Sequence, residues 1–346
     1  MSRKQLYYVL NEKLSFLSNE EIKKIIKPKK NKKNEKTYGI NKIVTLDDTN
    51  IFIKAIPIAK LFVENKFDTR NLYKIPAYYN YGFGSAGVNP WRELLLHIKT
   101  SNWVLIDKCE FFPILYHYRI IEDDDNTNIE TGLDSKLLKT WDHNDQIVKY
   151  LQDRAKSKYK IVMFLEHIPH VAWKYLQSNN NFVEDFYSQT LQIVNFLEKN
   201  GISHNDSHLG NYLVDDKKIV YLTDFGISLS KDFDLDKHEK KFIKNNLDLD
   251  KFYAYDNIMS NYINKTLYNK KISKKYKLEL CQTTVDLAKY IIDYMEKIKA
   301  DIEISKFEIA FFKKHQNLLI KYIEWKKNFK KSKHKSKYFI SNIVLS

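Results

Sequence analysis

Apolar positions recur at helical spacing through the first 26 residues, at Leu6, Val9, Leu10, Leu14 and Leu17 and then at Ile22, Ile25 and Ile26. This predicts one or two amphipathic helices lying on the outside of a domain. The run Lys27-Pro-Lys-Lys-Asn-Lys-Lys-Asn-Glu-Lys36 has no apolar residue but its Pro and reads as a solvated linker, so residues 1–37 form an N-terminal helical extension. From Tyr38 the pattern changes to strands, Ile43-Val-Thr-Leu and Ile51-Phe-Ile-Lys-Ala-Ile, around a turn at Asp47-Asp-Thr-Asn50. Asn89-Pro90 is a helix start, Asn as cap and Pro in the first turn, and Trp91, Leu94, Leu95 and Ile98 give that helix an apolar face. Trp103-Val-Leu-Ile and Phe111 to Ile121 read as the next strands, with an exposed turn at 122–128. Helical spacing returns over Leu137–Lys156, a strand runs from Tyr159 to Leu165, and Phe182–Lys199 is a helix ended by Asn200-Gly201. Tyr212-Leu-Val and Ile219-Val-Tyr-Leu flank Asp215-Asp-Lys-Lys, the pattern of a β-hairpin. A helix from Tyr253, two long helices over 277–326 and a solvated basic tail at 326–346 complete the chain.

Composition narrows the class. With 346 residues, 43% hydrophobic and 14% aromatic, the chain can build a sizeable core. Two cysteines, Cys109 and Cys281, make no disulfide framework. No apolar leader opens the sequence, and no stretch approaches a membrane span. A reduced, intracellular, cytoplasmic protein is the expectation. The net charge of +15 comes almost wholly from Lys, with five Arg and none beyond Arg154. Arg is the residue suited to forked recognition of phosphates and bases, so specific nucleic-acid binding is not expected.

The chemistry concentrates between residues 201 and 226. His204, Asp206 and Asn211 fit H-x-D-x-x-x-x-N, and Asp224-Phe225-Gly226 begins thirteen positions after the Asn. Phosphoryl transfer needs a carboxylate to orient and deprotonate the acceptor hydroxyl and oxygen ligands to hold Mg²⁺ on the phosphates. Asp206 suits the first task; Asn211 and Asp224 suit the second, and the hairpin between them would bring them face to face.

At these residues the chain resembles the protein-kinase-like superfamily. His208 and Gly210 make the match H-x-D-x-H-x-x-N, similar to haspin-type protein kinases and to aminoglycoside and choline kinases. The run Tyr81–Leu94 is also similar to a Y-G-x-G-S-A-G-x-x-x-W-R-E-L stretch of microbial and viral kinase-like chains. The resemblance covers roughly residues 38–265 and implies an α+β, bilobal fold. Residues 38–168 would form a small β-rich lobe and hinge, and 169–325 a mainly helical lobe. It further implies that Lys54, at the end of a strand similar to V-A-I-K, positions the ATP phosphates and is held by Glu93. His208 would lie near the γ-phosphate, Leu165 would be the gatekeeper, and the backbone from Glu166 to Ile168 would bind adenine. Asp256 would brace the catalytic loop.

Two departures stand out. Lys54 and Glu93 are 39 residues apart, and only Gly39 precedes Lys54 where a glycine-rich loop belongs. Gly82, Gly84 and Gly87 form a literal G-x-G-x-x-G before the Glu93 helix. That stretch reads as an ATP-facing or helix-positioning loop, as a structural turn, or as a dinucleotide site with Asp107 as its ribose acid. If it were an ordinary phosphate loop, Lys99 would be the strand lysine. No A-P-E closes the segment after Gly226, and Asn205 stands where many kinases carry Arg. The expected function is Mg²⁺-dependent transfer of the ATP γ-phosphate, first to a protein Ser/Thr hydroxyl. A small-molecule acceptor and a catalytically weak pseudokinase scaffold are the alternatives.

Overall fold

The structure is a computed structural model and describes residues 1–27, 37–126, 129–267, 269–278, 286, 290, 295–298, 301 and 304–332. Helices and antiparallel sheet occur together, an α+β chain. It divides into two compact units, Met1–Ile168 with Tyr221–Lys240, and Pro169–Val220 with the chain from Lys241 onward.

The first unit opens with helices α1 (Arg3–Ser15) and α2 (Asn19–Ile26), each started by a capping box, Ser2 with Gln5 and Ser18 with Glu21. They bury Leu10, Leu14, Ile22 and Ile26, whereas Val9 stays exposed. Strands β1 (Ile40–Leu46) and β2 (Thr49–Ile58) are joined by Asp47 and Asp48, both at positive φ, 45° and 60°. A two-residue turn of that hand matches the twist of the strands. The short helix α3 (Lys60–Glu64) leads towards α4 (Pro90–Leu105). Strand β3 (Leu115–Glu122), helices α5 (Ser135–Thr140) and α6 (Asp145–Ala155), and strand β4 (Tyr159–Glu166) follow. The sheet is antiparallel throughout, in the order β1-β2-β4-β3. Period-two alternation puts Ile51, Ile53 and Ala55 into the core, while Phe52 and Lys54 share the other face of β2.

Several expected boundaries move. Trp103-Val-Leu-Ile is not a strand: α4 runs through it to Leu105, burying Trp103 and Val104. A four-residue apolar run carries no period of its own, and nothing breaks the helix before Asp107, which sits at φ 57°. Strand β3 begins at Leu115 and not at Phe111. The helix expected over 137–156 is two helices, separated where Asp142 and His143 take positive φ of 54° and 50°.

The second unit contains β5 (His170–Val171), α7 (Ala172–Ser178), α8 (Val183–Lys199) and β6 (Ile202–Ser203). Strand β7 (Tyr212–Val214) pairs antiparallel with β5. It leaves through a turn in which Asp215 Oδ1 accepts the amides of Lys217 and Ile219 at 2.9 and 2.8 Å. Strands β8 (Val220–Leu222) and β9 (Leu229–Ser230) and helix α9 (Lys237–Asn245) come next in the chain. Helix α10 (Leu249–Leu267) starts four residues earlier than the pattern at Tyr253 indicates and packs on α8 and on the long helix Lys306–Lys331. Helix α11 (Lys270–Lys275) follows α10. The basic run from Lys326 begins inside the long helix: Lys326 pairs with Asp256 at 2.8 Å, and Phe329 is buried. The rest of that run, the linker 28–36, residues 127–128 and most of 279–303 lie outside the described residues. No described helix is long and apolar enough to cross a membrane.

Candidate active site

In the first unit, β2 holds Lys54 and the first turn of α4 holds Glu93, in a helix whose N-terminus is capped by Asn89 accepting the Trp91 amide. Lys54 Nζ lies 2.7 Å from Glu93 Oε1 and 2.8 Å from Asp224 Oδ1. Glu93 is buried, whereas the Asp224 side chain keeps 42% of its exposure. Asp224 is fixed from both sides, by the Leu222 amide on Phe111 O at 3.0 Å and by Phe225, which packs on His97 and Phe112. Burial pulls the Lys54 ammonium down, but the carboxylates of Asp224 and Glu93 outweigh it, and its pKa ends above that of an ordinary lysine. Burial raises Glu93, opposed by Lys54 and reinforced by Asp224. Asp224 sits at φ 68°, a conformation that non-glycine residues adopt seldom and often at functional sites.

The stretch Gly82–Gly87 lies directly before α4. It follows a 3-10 turn, Ala77–Tyr81, and not a strand. Ala86 N–H donates to Tyr79 OH at 2.9 Å, and Val88 N–H to Gly226 O at 3.1 Å. Gly87 takes φ 85°, a conformation that residues with a side chain adopt seldom, and its Cα side faces Gly226 O at ordinary contact distance. The Ala86 amide within the stretch is thus already engaged, and Val88, the residue after it, ties the Asp224-Phe225-Gly226 turn to the start of α4. The dinucleotide reading falls, because the strand–turn–helix context is absent and Asp107 lies just past the end of α4, paired with Lys4. Lys99 lies on α4, paired with Asp232, so the register that made it a strand lysine falls too. No glycine-rich loop adjoins β2; the β1–β2 turn is Asp47-Asp48.

Glu166 ends β4, with Leu165 buried before it. Its amide donates to Ile114 O at 2.8 Å, and its side chain accepts Ile114 N–H at 3.0 Å, so that amide is committed within the protein. Arg3, from α1, clamps the same carboxylate at 2.8 and 2.7 Å, bonds to Glu110 O and Phe112 O, and lies over the Tyr221 ring. Ile168 is buried at the end of the unit.

In the second unit, the loop from β6 to β7 carries Asp206, His208 and Asn211. Asn211 Nδ2 donates to Asp206 O at 2.9 Å and to Asp206 Oδ2 at 3.3 Å, which orients that carboxylate and leaves the amide oxygen as the group available to a cation. His208 Nδ1 accepts Gly210 N–H at 2.9 Å, so a neutral ring carries its proton on Nε2, 3.8 Å from Asp206 Oδ1. The ring lies so close over Gly210 that a Cβ there would be 2.7 Å from His208 Cε1. The glycine is thus the partner the histidine requires.

Sequence reasoning assigned the loop's brace to Asp256, but Asp250 performs it. Buried at the start of α10, it accepts the amides of His204 (2.7 Å) and Asn205 (2.9 Å) and the hydroxyl of Ser207 (3.1 Å). Asp256 lies farther along α10 and pairs with Lys326. Both residues are acidic and lie on the same helix, and the helical period alone does not choose between them. Burial pushes the Asp250 carboxyl up, against the bonds that hold it ionised.

No family model matches the sequence. Part of the chain is similar to the mitogen-activated protein kinase kinase kinase A of Dictyostelium discoideum, 36% identical over 92 residues, which is 25% of this chain and 10% of that protein. Part is similar to the probable serine/threonine-protein kinase mkcD of the same organism, 33% identical over 107 residues, 30% of this chain and 16% of that protein. Over those stretches the chain is related in sequence to protein kinases.

Proposed function

We propose that the chain is an ATP- and Mg²⁺-dependent phosphotransferase that moves the γ-phosphate to a hydroxyl, with a protein serine or threonine as the first acceptor class. The observation that carries this reading is the part-buried Lys54 held between Glu93 and Asp224. A lysine charged in that setting is a fixed cation for phosphate, and Glu93 acts on it alone. In the second unit Asp206 is the base, oriented by Asn211. Asn211 and Asp224 each carry a hard oxygen, the ligand type that Mg²⁺ takes. No cluster of three or more His, Cys, Asp or Glu able to hold a metal occurs among the described residues. The cation would therefore complete its shell with water and phosphate, as Mg²⁺ does. When bound, it would neutralise charge developing on the phosphates. His208, half exposed beside Asp206, favours the second reading, a small-molecule hydroxyl as acceptor.

The direct test is thermal stability with nucleotide. Mg²⁺ with ATP is expected to raise the melting temperature well beyond ATP alone, since a ligand at a hundred times its Kd adds about 2.7 kcal/mol. Stabilisation by NAD and not by Mg-ATP overturns the reading. Turnover separates the two lysines. Lys54→Met is expected to lose roughly tenfold to a hundredfold, the scale of a lost charged hydrogen bond. Lys99→Met, which breaks a surface ion pair worth about 1 kcal/mol at most, is expected to stay near wild type. A severe Lys99→Met with a silent Lys54→Met would invert the assignment.

A further inference from the structure

Arg92 stands next to Glu93 in the first turn of α4 and is as buried as the apolar core, 1% exposed. Its guanidinium forks onto Glu239, also 1% exposed, at 2.6 and 3.1 Å. Nε donates to Thr69 O at 2.7 Å, and the group lies 5.4 Å from the Phe233 ring centroid. Glu239 Oε2 also accepts Asp236 N–H at 3.1 Å, while Asp236 Oδ1 accepts Glu239 N–H at 2.9 Å. Asp234 N–H donates to Thr69 Oγ1 at 2.9 Å. At its other end the same segment is tied by Val88 N–H to Gly226 O. The stretch that leads into Glu93 is thus anchored to the 226–239 segment twice, at Val88 and at Arg92.

We propose that the Arg92–Glu239 pair is a positioning device, which locks the segment after Gly226 onto α4 and so holds Glu93 on Lys54 without any modification of the chain. This rests on the reading of Lys54 and Glu93 as phosphate-positioning residues. Segments of this kind are commonly ordered by a phosphate that recruits an arginine. Here the chain's own carboxylate supplies the anion, in the forked geometry that arginine matches best. Ser228 and Ser230, which follow Gly226, are buried at 2% and 0% exposure, so their hydroxyls are not presented for phosphorylation. Burying two charges is a poor route to stability, and an ion pair in such a place is explained by the geometry it fixes.

The test combines turnover with backbone amide exchange. Glu239→Gln is expected to lower kcat at least tenfold, and to add little to the loss already produced by Glu93→Gln, because both act through the same contact. Its amides at 88–95 and 232–239 should exchange faster. The charge-free double variant Arg92→Met/Glu239→Leu, which keeps apolar packing, should show the same pattern with the fold retained. Additive losses in the double-mutant cycle, or exchange at 88–95 unchanged in either variant, overturn the proposal. So does a phosphatase-treated wild type whose 226–239 amides exchange as freely as an unfolded chain. A wild type with no Mg-ATP turnover sinks the proposed function instead, and the exchange data still decide the locking.

Discussion

Asp206→Asn is expected to lower turnover by roughly 10²-fold or more while leaving Mg-ATP affinity near wild type, the usual scale for a general base. Asn keeps the shape of the side chain and the contact with Asn211 but cannot take a proton. The nucleotide is addressed in the proposed mechanism by other residues, so its binding has no reason to change. Titrating nucleotide onto the variant and measuring its turnover separates the two effects. A variant with undiminished turnover sinks the phosphotransfer mechanism, and one that loses affinity and turnover together places Asp206 at the metal instead.

The second large effect is expected at Asp250, through structure. Asp250→Ala removes the acceptor of two backbone amides and one hydroxyl inside a buried loop. Each orphaned donor costs about 1–3 kcal/mol, so a loss of about 3 kcal/mol or more is expected in chemical denaturation. Turnover should fall as well, since His204 and Asn205 lead directly into Asp206. Asp250→Asn retains one acceptor oxygen and should be milder. Asp256→Ala, which breaks a single ion pair with Lys326, should destabilise less than Asp250→Ala. The reverse order would return the bracing role to Asp256.

What could be read from the sequence follows from what each signal measures. The spacing of Asp206, Asn211 and Asp224 is a local chemical pattern, and the two strands around Asp47-Asp48 have a clean alternation with a turn of polar residues. Both were legible. The link between Lys54 and Glu93 rested on resemblance alone, because 39 intervening residues carry no period that reports their pairing. Trp103 to Ile106 misled because a short apolar run inside a long helix looks like a buried strand. Glu239 carried no signal at all. It sits among Lys237, Lys240 and Lys241 in a run that reads as solvated surface, and only the fold brings Arg92 to it. Long-range ion pairs have no local signature, so nothing in the residues after Gly226 reports that Glu239 meets Arg92.

The Arg3 clamp on Glu166 bears on how this protein should be handled in the laboratory. By its charge pattern the run after α2 looks like a natural place to trim the chain and keep a minimal catalytic fragment. Such trimming would remove the guanidinium that holds Glu166 and ties down the backbone at Glu110 and Phe112, leaving a partly buried carboxylate with only the Ile114 amide. Ser2 caps the helix that carries Arg3, so a change at that cap would loosen the same clamp. A fragment that retains the first two helices keeps the Arg3–Glu166 pairing at the end of β4.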